Sequence, residues 1–328
     1  MMSQNKKSAV VIGGGAYGTA LANHLARKKI PVTLWAREAA IVRQVLEQHQ
    51  NDSFLPGIPL DPSLKATQNL DEATRGAELV ICAIPSQFLR PVLKEIIPRL
   101  DPPSILLNVA KGIETATGKL LSEVYEELTP PRYHRQIAYL SGPSFARELA
   151  EGHPSAVALG SREEAVGTIV RNYFESDCLF LDQTSDVTGV VVGGAVKNVI
   201  AIACGMADGL GYGHSTRAMF MTKGLHEMIA LGKKLGADPA TFHGLSGVGD
   251  LIVTCMGELS RNKKAGIEVA QGKSVEEIIS SGSGVAEGLE TSKAVHFLSK
   301  KLEIRLPICE NVYRILYEGR PIRELFSV

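Results

Sequence analysis

A lysine inside an apolar run is the group in this chain whose chemistry most needs explaining. Lys197 lies in Val192-Gly193-Gly194-Ala195-Val196-Lys197-Asn198-Val199-Ile200-Ala201-Ile202-Ala203, a stretch too apolar to leave an ammonium fully in water. Burial lowers a lysine pKa from about 10.4 by as much as 3–5 units. A shift of that size suits a general acid/base working near neutral pH. Most lysines are solvated or paired structural residues, but Gly193 and Ala201 lie one helical turn either side of this one and are expected to clear space for a ligand. Asp250, after two glycines in Leu245-Ser246-Gly247-Val248-Gly249-Asp250, either caps a helix or pairs with Lys197. A carboxylate partner opposes the effect of burial, so the net lysine shift has no sign from sequence. Lys111, in Val109-Ala110-Lys111-Gly112, follows a predicted strand and projects from its carboxyl end, where open α/β sheets place ligands.

Two further clusters suit an anion. Ser260-Arg261-Asn262-Lys263-Lys264 combines a hydroxyl, a guanidinium and an amide where a helix should begin, which is the composition of a phosphate cradle. It reads equally as a Ser cap with an exposed basic turn. Ser141-Gly142-Pro143-Ser144-Phe145-Ala146 follows a later predicted strand, and there Ser144 is either a ligand contact or an N-cap. The eight histidines have no metal-ligand spacing and the five cysteines form no C-x-x-C pair, so no catalytic metal is expected. Cys82, Cys178, Cys204, Cys255 and Cys309 read as free thiols in a reducing cytosol.

Near the N-terminus, Ala9-Val10-Val11-Ile12 leads into Gly13-Gly14-Gly15-Ala16-Tyr17-Gly18 and then a helix-forming stretch. A strand, glycine turn and helix in that order hold a dinucleotide pyrophosphate: Gly13 for the tight turn, Gly15 for close backbone approach, Gly18 for helix–strand packing. About 20 residues on, where a carboxylate reads the ribose of NAD, the first candidate is Arg37, followed by Glu38. Arginine suits a 2′-phosphate, which predicts a preference for NADPH with NADH still possible. The competing reading leaves Arg37 exposed and gives the ribose to Glu38.

The elements that must position these groups fall into two textures. Up to residue 187, short β-branched runs alternate with helical periodicity, as in a parallel sheet covered on both faces. Strands are predicted at Ser8–Ile12, Val32–Trp35, Glu78–Ile84, Ser104–Val109, Ile137–Leu140, Ala156–Leu159 and Leu179–Leu181, and a helix over Gln87–Leu100 buries Phe88, Leu89, Val92, Ile96 and Leu100. The Pro-rich segment Asn51–Gln68 is expected to be an ordered loop near the cleft. Its Asn51-Asp52-Ser53 formally matches a glycosylation acceptor but, without a secretory signal, is more simply a loop. From 188 onward strand-like runs nearly vanish, and helices are expected over 189–205, 216–236, 262–272, 275–281, 287–300 and 310–317, with a turn at Ser281-Gly282-Ser283-Gly284. The fold class is thus an α/β Rossmann-type dinucleotide-binding domain, 1–187, followed by an all-α C-terminal domain, 188–328, with the substrate cleft between them.

Length and charge agree with this. The 328 residues are enough for two cores. Lys plus Arg and Asp plus Glu are both 35, so no global field draws the chain to nucleic acid or an anionic membrane. The polar Met1–Lys7 stretch followed by a short strand predicts no signal sequence or stable membrane insertion.

With these residues in place, the chain resembles the NAD(P)-dependent sn-glycerol-3-phosphate dehydrogenases of the bacterial soluble type. The likeness rests on Gly13-Gly14-Gly15-Ala16-Tyr17-Gly18-Thr19, Ala110-Lys111-Gly112, Ser141 to Ala146, Gly193 to Asn198, Gly249-Asp250-Leu251, Ser260-Arg261-Asn262 and Glu287-Gly288, in order along the chain. It implies reversible hydride transfer between NAD(P)H and dihydroxyacetone phosphate, giving sn-glycerol 3-phosphate for phospholipid synthesis. It further implies that Lys197 protonates the alkoxide with Asp250 beside it and Lys111 orienting the carbonyl, and that Arg261 and Asn262 hold the phosphate with Gly142, Ser144 and Ser260. Ala16, Tyr17, Arg37, Ala146, Val285 and Glu287 match positions that contact the dinucleotide, and family members are commonly cytoplasmic homodimers. One departure is Gly14-Gly15-Ala16, where many members carry Ala-Gly-Ser and so a possible hydroxyl contact. Two other readings stand beside this one: a two-domain dehydrogenase of a β-hydroxyacid or sugar acid, and a non-catalytic NADPH sensor, which the joint presence of Lys197, Asp250 and Lys111 disfavours.

Overall fold

The computed structural model describes residues 8–101, 104–280 and 285–327. Short apolar runs form eight strands: β1 (Ala9–Ile12), β2 (Val32–Trp35), β3 (Lys65–Thr67), β4 (Leu79–Cys82), β5 (Ile105–Asn108), β6 (Ile137–Ser141), β7 (Ser155–Ser161) and β8 (Leu179–Thr184). They make one sheet in the order β3-β2-β1-β4-β5-β6-β7-β8. Strands β1 to β6 are parallel, with Val10 between Thr33 and Val80. The order reverses between β1 and β4, and such a reversal opens a ligand crevice at the strands' carboxyl ends.

Two features depart from the sequence expectation. The sheet is mixed: β7 runs antiparallel to β6, with Tyr139 opposite Gly160, and β8 is parallel to β7. Between β6 and β7 the chain carries one short helix, Ala146–Glu151, and β7 enters the sheet beside β6 in the opposite direction. The other departure is β3, an edge strand inside the segment read as a loop, whose three residues are too few to show alternation.

Helices α1 (Ala16–Arg27), α2 (Ala39–Arg43), α3 (Leu70–Thr74), α4 (Ser86–Ile96), α5 (Leu121–Leu128), α6 (Ala146–Glu151) and α7 (Glu164–Phe174) accompany the strands. Alternation along β1 sends Val10 and Ile12 to one face and Ala9 and Val11 to the other. The second face packs on Leu21 and Leu25 of α1 and Val170 and Phe174 of α7. On α4 the buried stripe is Leu89, Leu93 and Ile96, spaced i, i+4, i+7. Phe88 falls off that stripe and is 58% exposed, contrary to its expected place in the core.

The remaining helices are α8 (Val187–Gly209), α9 (His214–Lys234), α10 (Asp250–Met256), α11 (Arg261–Ala270), α12 (Val275–Ser280), α13 (Glu287–Lys301) and α14 (Pro307–Tyr317). The Asp186 carboxylate starts α8 by accepting from Gly189 N at 2.9 Å. Long and apolar enough to cross a membrane, α8 instead has its apolar stretch buried inside the protein. It packs against β6 and β7 on one side and α9, α10, α11 and α13 on the other. One apolar cluster therefore runs from Val10, Val80 and Leu106 in the sheet through Val196 and Ile200 to Val295 and Val312. Short α10 answers to the helix that the Asp250 reading allows, for which the sequence predicts no span. The turn at Ser281-Gly282-Ser283-Gly284, the end of the predicted 275–281 helix at Ser281, and Met1–Lys7 lie outside the described residues.

Candidate active site

The glycine turn has the shape its spacing predicts. Gly13 has φ +125°, and a Cβ there would meet the Ala83 carbonyl; a Cβ on Gly18 would meet the Gly13 carbonyl. Gly15 faces open space and is the N-cap of α1, with no side chain capping the first turn and no acidic residue in it. The first amides of α1 are thus left for an anion, and the cradle fits a dinucleotide pyrophosphate. Asn51 braces it from the Pro-rich segment: its Nδ2 donates to Gly14 O at 2.9 Å and to Thr19 Oγ1 at 2.8 Å. Fully buried, Asn51 is a structural brace rather than an exposed acceptor site. Beyond β2, the Arg37 side chain is 82% exposed and pairs with Glu38 at 3.2 Å.

At the carboxyl ends of β5 and β6 lies a charged knot. Asp250, the first residue of α10 and 1% exposed, accepts from Lys197 Nζ at 2.5 Å through Oδ1 and from Lys111 Nζ at 2.8 Å through Oδ2. Oδ2 also accepts from Gly142 N at 3.1 Å and Ser141 Oγ at 3.3 Å. Lys197 donates a second bond to Thr254 Oγ1 at 2.7 Å. Lys111 donates to the Gly142 carbonyl at 2.9 Å.

The electrostatics follow from two cations sharing one carboxylate. Burial lowers the Lys197 pKa; Asp250 opposes this, Lys111 adds to it, and the net value is about 8. For Lys111 burial also acts downward, but Asp250 outweighs it and the ammonium is held above its ordinary value. Burial raises the Asp250 carboxyl, and the two lysines more than offset that, leaving it below the usual range. The knot therefore stores one firmly held proton on Lys111 and one exchangeable near neutrality on Lys197.

Beside it, Asn198 and Asn262 are bridged, Asn262 Nδ2 to Asn198 Oδ1 at 2.8 Å, while Asn262 Oδ1 accepts from Gly288 N at 2.9 Å. Ser260 caps α11: its Oγ accepts from Lys263 N at 3.2 Å, which leaves the hydroxyl hydrogen to donate. Arg261 opens the helix on its exposed side. Glu287, first residue of α13, accepts from Ser86 N at 3.1 Å and from Ser86 Oγ, joining α13 to α4. Burial lifts its carboxyl to about 7 against those two bonds.

Profiles described as NAD-dependent glycerol-3-phosphate dehydrogenase N-terminus and C-terminus match residues 8–167 and 186–327. The chain belongs to the NAD-dependent glycerol-3-phosphate dehydrogenases. The glycerol-3-phosphate dehydrogenase [NAD(P)+] of Geobacter sp. (strain M21) is 46% identical over 314 residues, covering 96% of this chain and 94% of its own. That of Myxococcus xanthus (strain DK1622) is 44% identical over 316 residues, covering 95% and 93%. The solved glycerol-3-phosphate dehydrogenase from Coxiella burnetii superposes with a TM-score of 0.92 at 32% identity, covering 98% of both chains. A D-mandelate dehydrogenase covers 98% of this chain and 100% of its own with a TM-score of only 0.64 at 15% identity, a likeness of fold alone.

In this member of the glycerol-3-phosphate dehydrogenase family, Lys111, Gly142, Lys197 and Asp250 converge on one knot, and Ser144 is one bond away, donating to Gly142 O at 3.2 Å. Of the two sequence readings of Asp250, the pairing with Lys197 holds and the capping one does not: Asp250 is the first residue of α10, Gly249 is its N-cap, and no side chain caps that end. Gly193 and Gly194 clear space for protein, not ligand: Cβ atoms there would meet the Ser246 carbonyl and Ser141 Oγ. Ala146 opens α6, and Val285 is exposed just before α13. Thr254, Asn198, Ser86 and Asn51 escape sequence reasoning. The signal for Thr254 is its i+4 spacing from Asp250, readable only once α10 is recognised.

Proposed function

We propose that this glycerol-3-phosphate dehydrogenase reduces dihydroxyacetone phosphate reversibly to sn-glycerol 3-phosphate, with Lys197 as the proton donor. The observation that carries the assignment is the buried Lys197 ammonium, held between Asp250 Oδ1 and Thr254 Oγ1 with its pKa lowered to about 8. Reduced NAD(P), when bound in the Gly13–Gly18 cradle, supplies the hydride. As the C2 carbonyl oxygen gains negative charge, Lys197 stabilises it and delivers a proton. Lys111 orients the same carbonyl, and Asp250 keeps both cations in place. The substrate phosphate is assigned to Arg261 and the α11 N-terminus, with the Ser260 hydroxyl, the free Nδ2 hydrogen of Asn262, Gly142 and Ser144 completing the pocket.

The cofactor contacts are assigned to Gly13, Gly15, Ala16, Tyr17, Gly18, Arg37, Lys111, Ala146, Arg261, Val285 and Glu287. An exposed Arg37 at the end of β2 supports a preference for NADPH over NADH. The division of the chain into a dinucleotide-binding unit, 1–187, and a helical unit, 188–328, a homodimeric state, a cytoplasmic location and a supply of product to glycerophospholipid synthesis complete the reading. Initial rates of NADPH and NADH oxidation with dihydroxyacetone phosphate, beside a panel of β-keto and sugar acids, test it. Turnover of dihydroxyacetone phosphate alone is expected. Preferential turnover of a keto acid would assign the Arg261 site to a carboxylate instead.

A further inference from the structure

Tyr17 makes a contact that dinucleotide binding does not need. Its backbone belongs to the first turn of α1, yet its hydroxyl lies 2.9 Å from Ser144 Oγ, on the loop after β6. Ser144 Oγ donates to the Gly142 carbonyl at 3.2 Å, so the tyrosine O–H is the donor to Ser144. That same carbonyl accepts Lys111 Nζ at 2.9 Å, and the Gly142 N–H holds Asp250 at 3.1 Å. Gly142 is itself locked: its φ is +145° and a Cβ would lie 2.8 Å from Val157 Cα. Burial raises the Tyr17 phenol pKa, with Lys111 and Ser144 acting the other way, so it stays a neutral donor at physiological pH.

We propose that Tyr17 is a positioning residue for the reduction: acting through Ser144 and the Gly142 carbonyl, its hydroxyl sets the place of the Lys111 ammonium. The turn that cradles the dinucleotide and the lysine that orients the substrate are thereby one connected unit. Binding at either is felt at the other, because coupling between two sites is reciprocal. This role presupposes the substrate-orienting role of Lys111 proposed above.

Tyr17→Phe keeps the ring and removes the donor. Losing one hydrogen bond of ordinary strength predicts a KM for dihydroxyacetone phosphate about 3- to 10-fold higher. The Kd for NADPH, titrated by fluorescence without substrate, is expected to move less than about 2-fold, since Tyr17→Phe leaves both the backbone cradle and the ring assigned to the cofactor in place and removes only a hydroxyl that faces Ser144. The double variant Tyr17→Phe/Ser144→Ala should lose no more than Ser144→Ala alone, as residues on one path are not additive. A raised NADPH Kd with unchanged KM would make Tyr17 a cofactor-packing residue and overturn the proposal, as would additive losses. Wild-type protein silent towards dihydroxyacetone phosphate would instead remove the functional reading beneath it, whereas an active wild type with an unaffected Tyr17→Phe would sink this inference alone.

Discussion

Two ammonium groups share the Asp250 carboxylate, yet they titrate in opposite directions from the ordinary lysine value. Lys197, where burial and the Lys111 charge outweigh the help of the carboxylate, is the one that gives up its proton near pH 8. As the proposed proton donor, Lys197 must be protonated for reduction, so the rate with dihydroxyacetone phosphate should fall as pH rises through about 8, and the reverse oxidation should rise over the same range. Lys197→Ala should remove about 10²–10⁴-fold of kcat, the size of a general-acid contribution, with NADPH affinity unchanged; parallel loss of cofactor affinity would mark Lys197 as structural. Arg37 invites a separate test. Its exposed guanidinium has only a surface partner in Glu38, worth about 0–1 kcal/mol, so it is free to turn to a 2′-phosphate. Arg37→Ala should raise KM for NADPH by roughly 10-fold or more and leave NADH nearly unaffected; equal losses would separate Arg37 from the phosphate. At this scale the sequence is legible where one residue contradicts its surroundings, as Lys197 does in its apolar run. Thr254 contradicts nothing around it, and its role exists only after folding brings it to Lys197.

Elements carry these residues to one another, and the link between α4 and α13 has its own pH dependence. Glu287 accepts two bonds from Ser86 across the cleft, and burial raises its carboxyl from 4.5 to about 7. A group whose folded pKa is raised binds more protons in the folded state across that window, so its contribution to stability is full below about 4.5 and is lost as pH rises through about 7. Glu287→Gln holds the side chain neutral. Denaturant unfolding of the cofactor-free proteins should therefore show the variant gaining on wild type between those two pH values, and a constant difference would mean that the carboxyl titrates normally. Elements also show where sequence reading stops. Strands β1, β4 and β5 are plain because near-continuous apolar runs buried on both faces mark parallel strands. The reversal at β7 is a matter of strand direction, which no alternation in the sequence reports. Gly193 of α8 reads as ligand space, but the Ser246 carbonyl fills that space, and its approach is a property of packing.

For the whole molecule, the position of the knot depends on how the sheet and the helical half are joined. Linked by a polar interface, the two would be expected to move and melt separately. Here α8 lies against β6 and β7 and also forms the axis of the helical half, and a single apolar cluster continues from Val80 and Leu106 to Val199, Val295 and Val312. Asp250 from the helical half meets Lys111 and Gly142 from the sheet over the same seam. Unfolding the sheet alone, or the other helices alone, would expose the apolar side of α8 that faces it. Unfolding should therefore be one cooperative event: calorimetry should give a single transition whose calorimetric and van't Hoff enthalpies agree. NADPH binds the folded state and should move that whole transition upward, by about 2.7 kcal/mol of stability at a concentration 100 times its Kd. Two resolved transitions, of which only the first responds to NADPH, would show that the sheet and the helices are separate folding units and that the seam through the active site opens before either half melts.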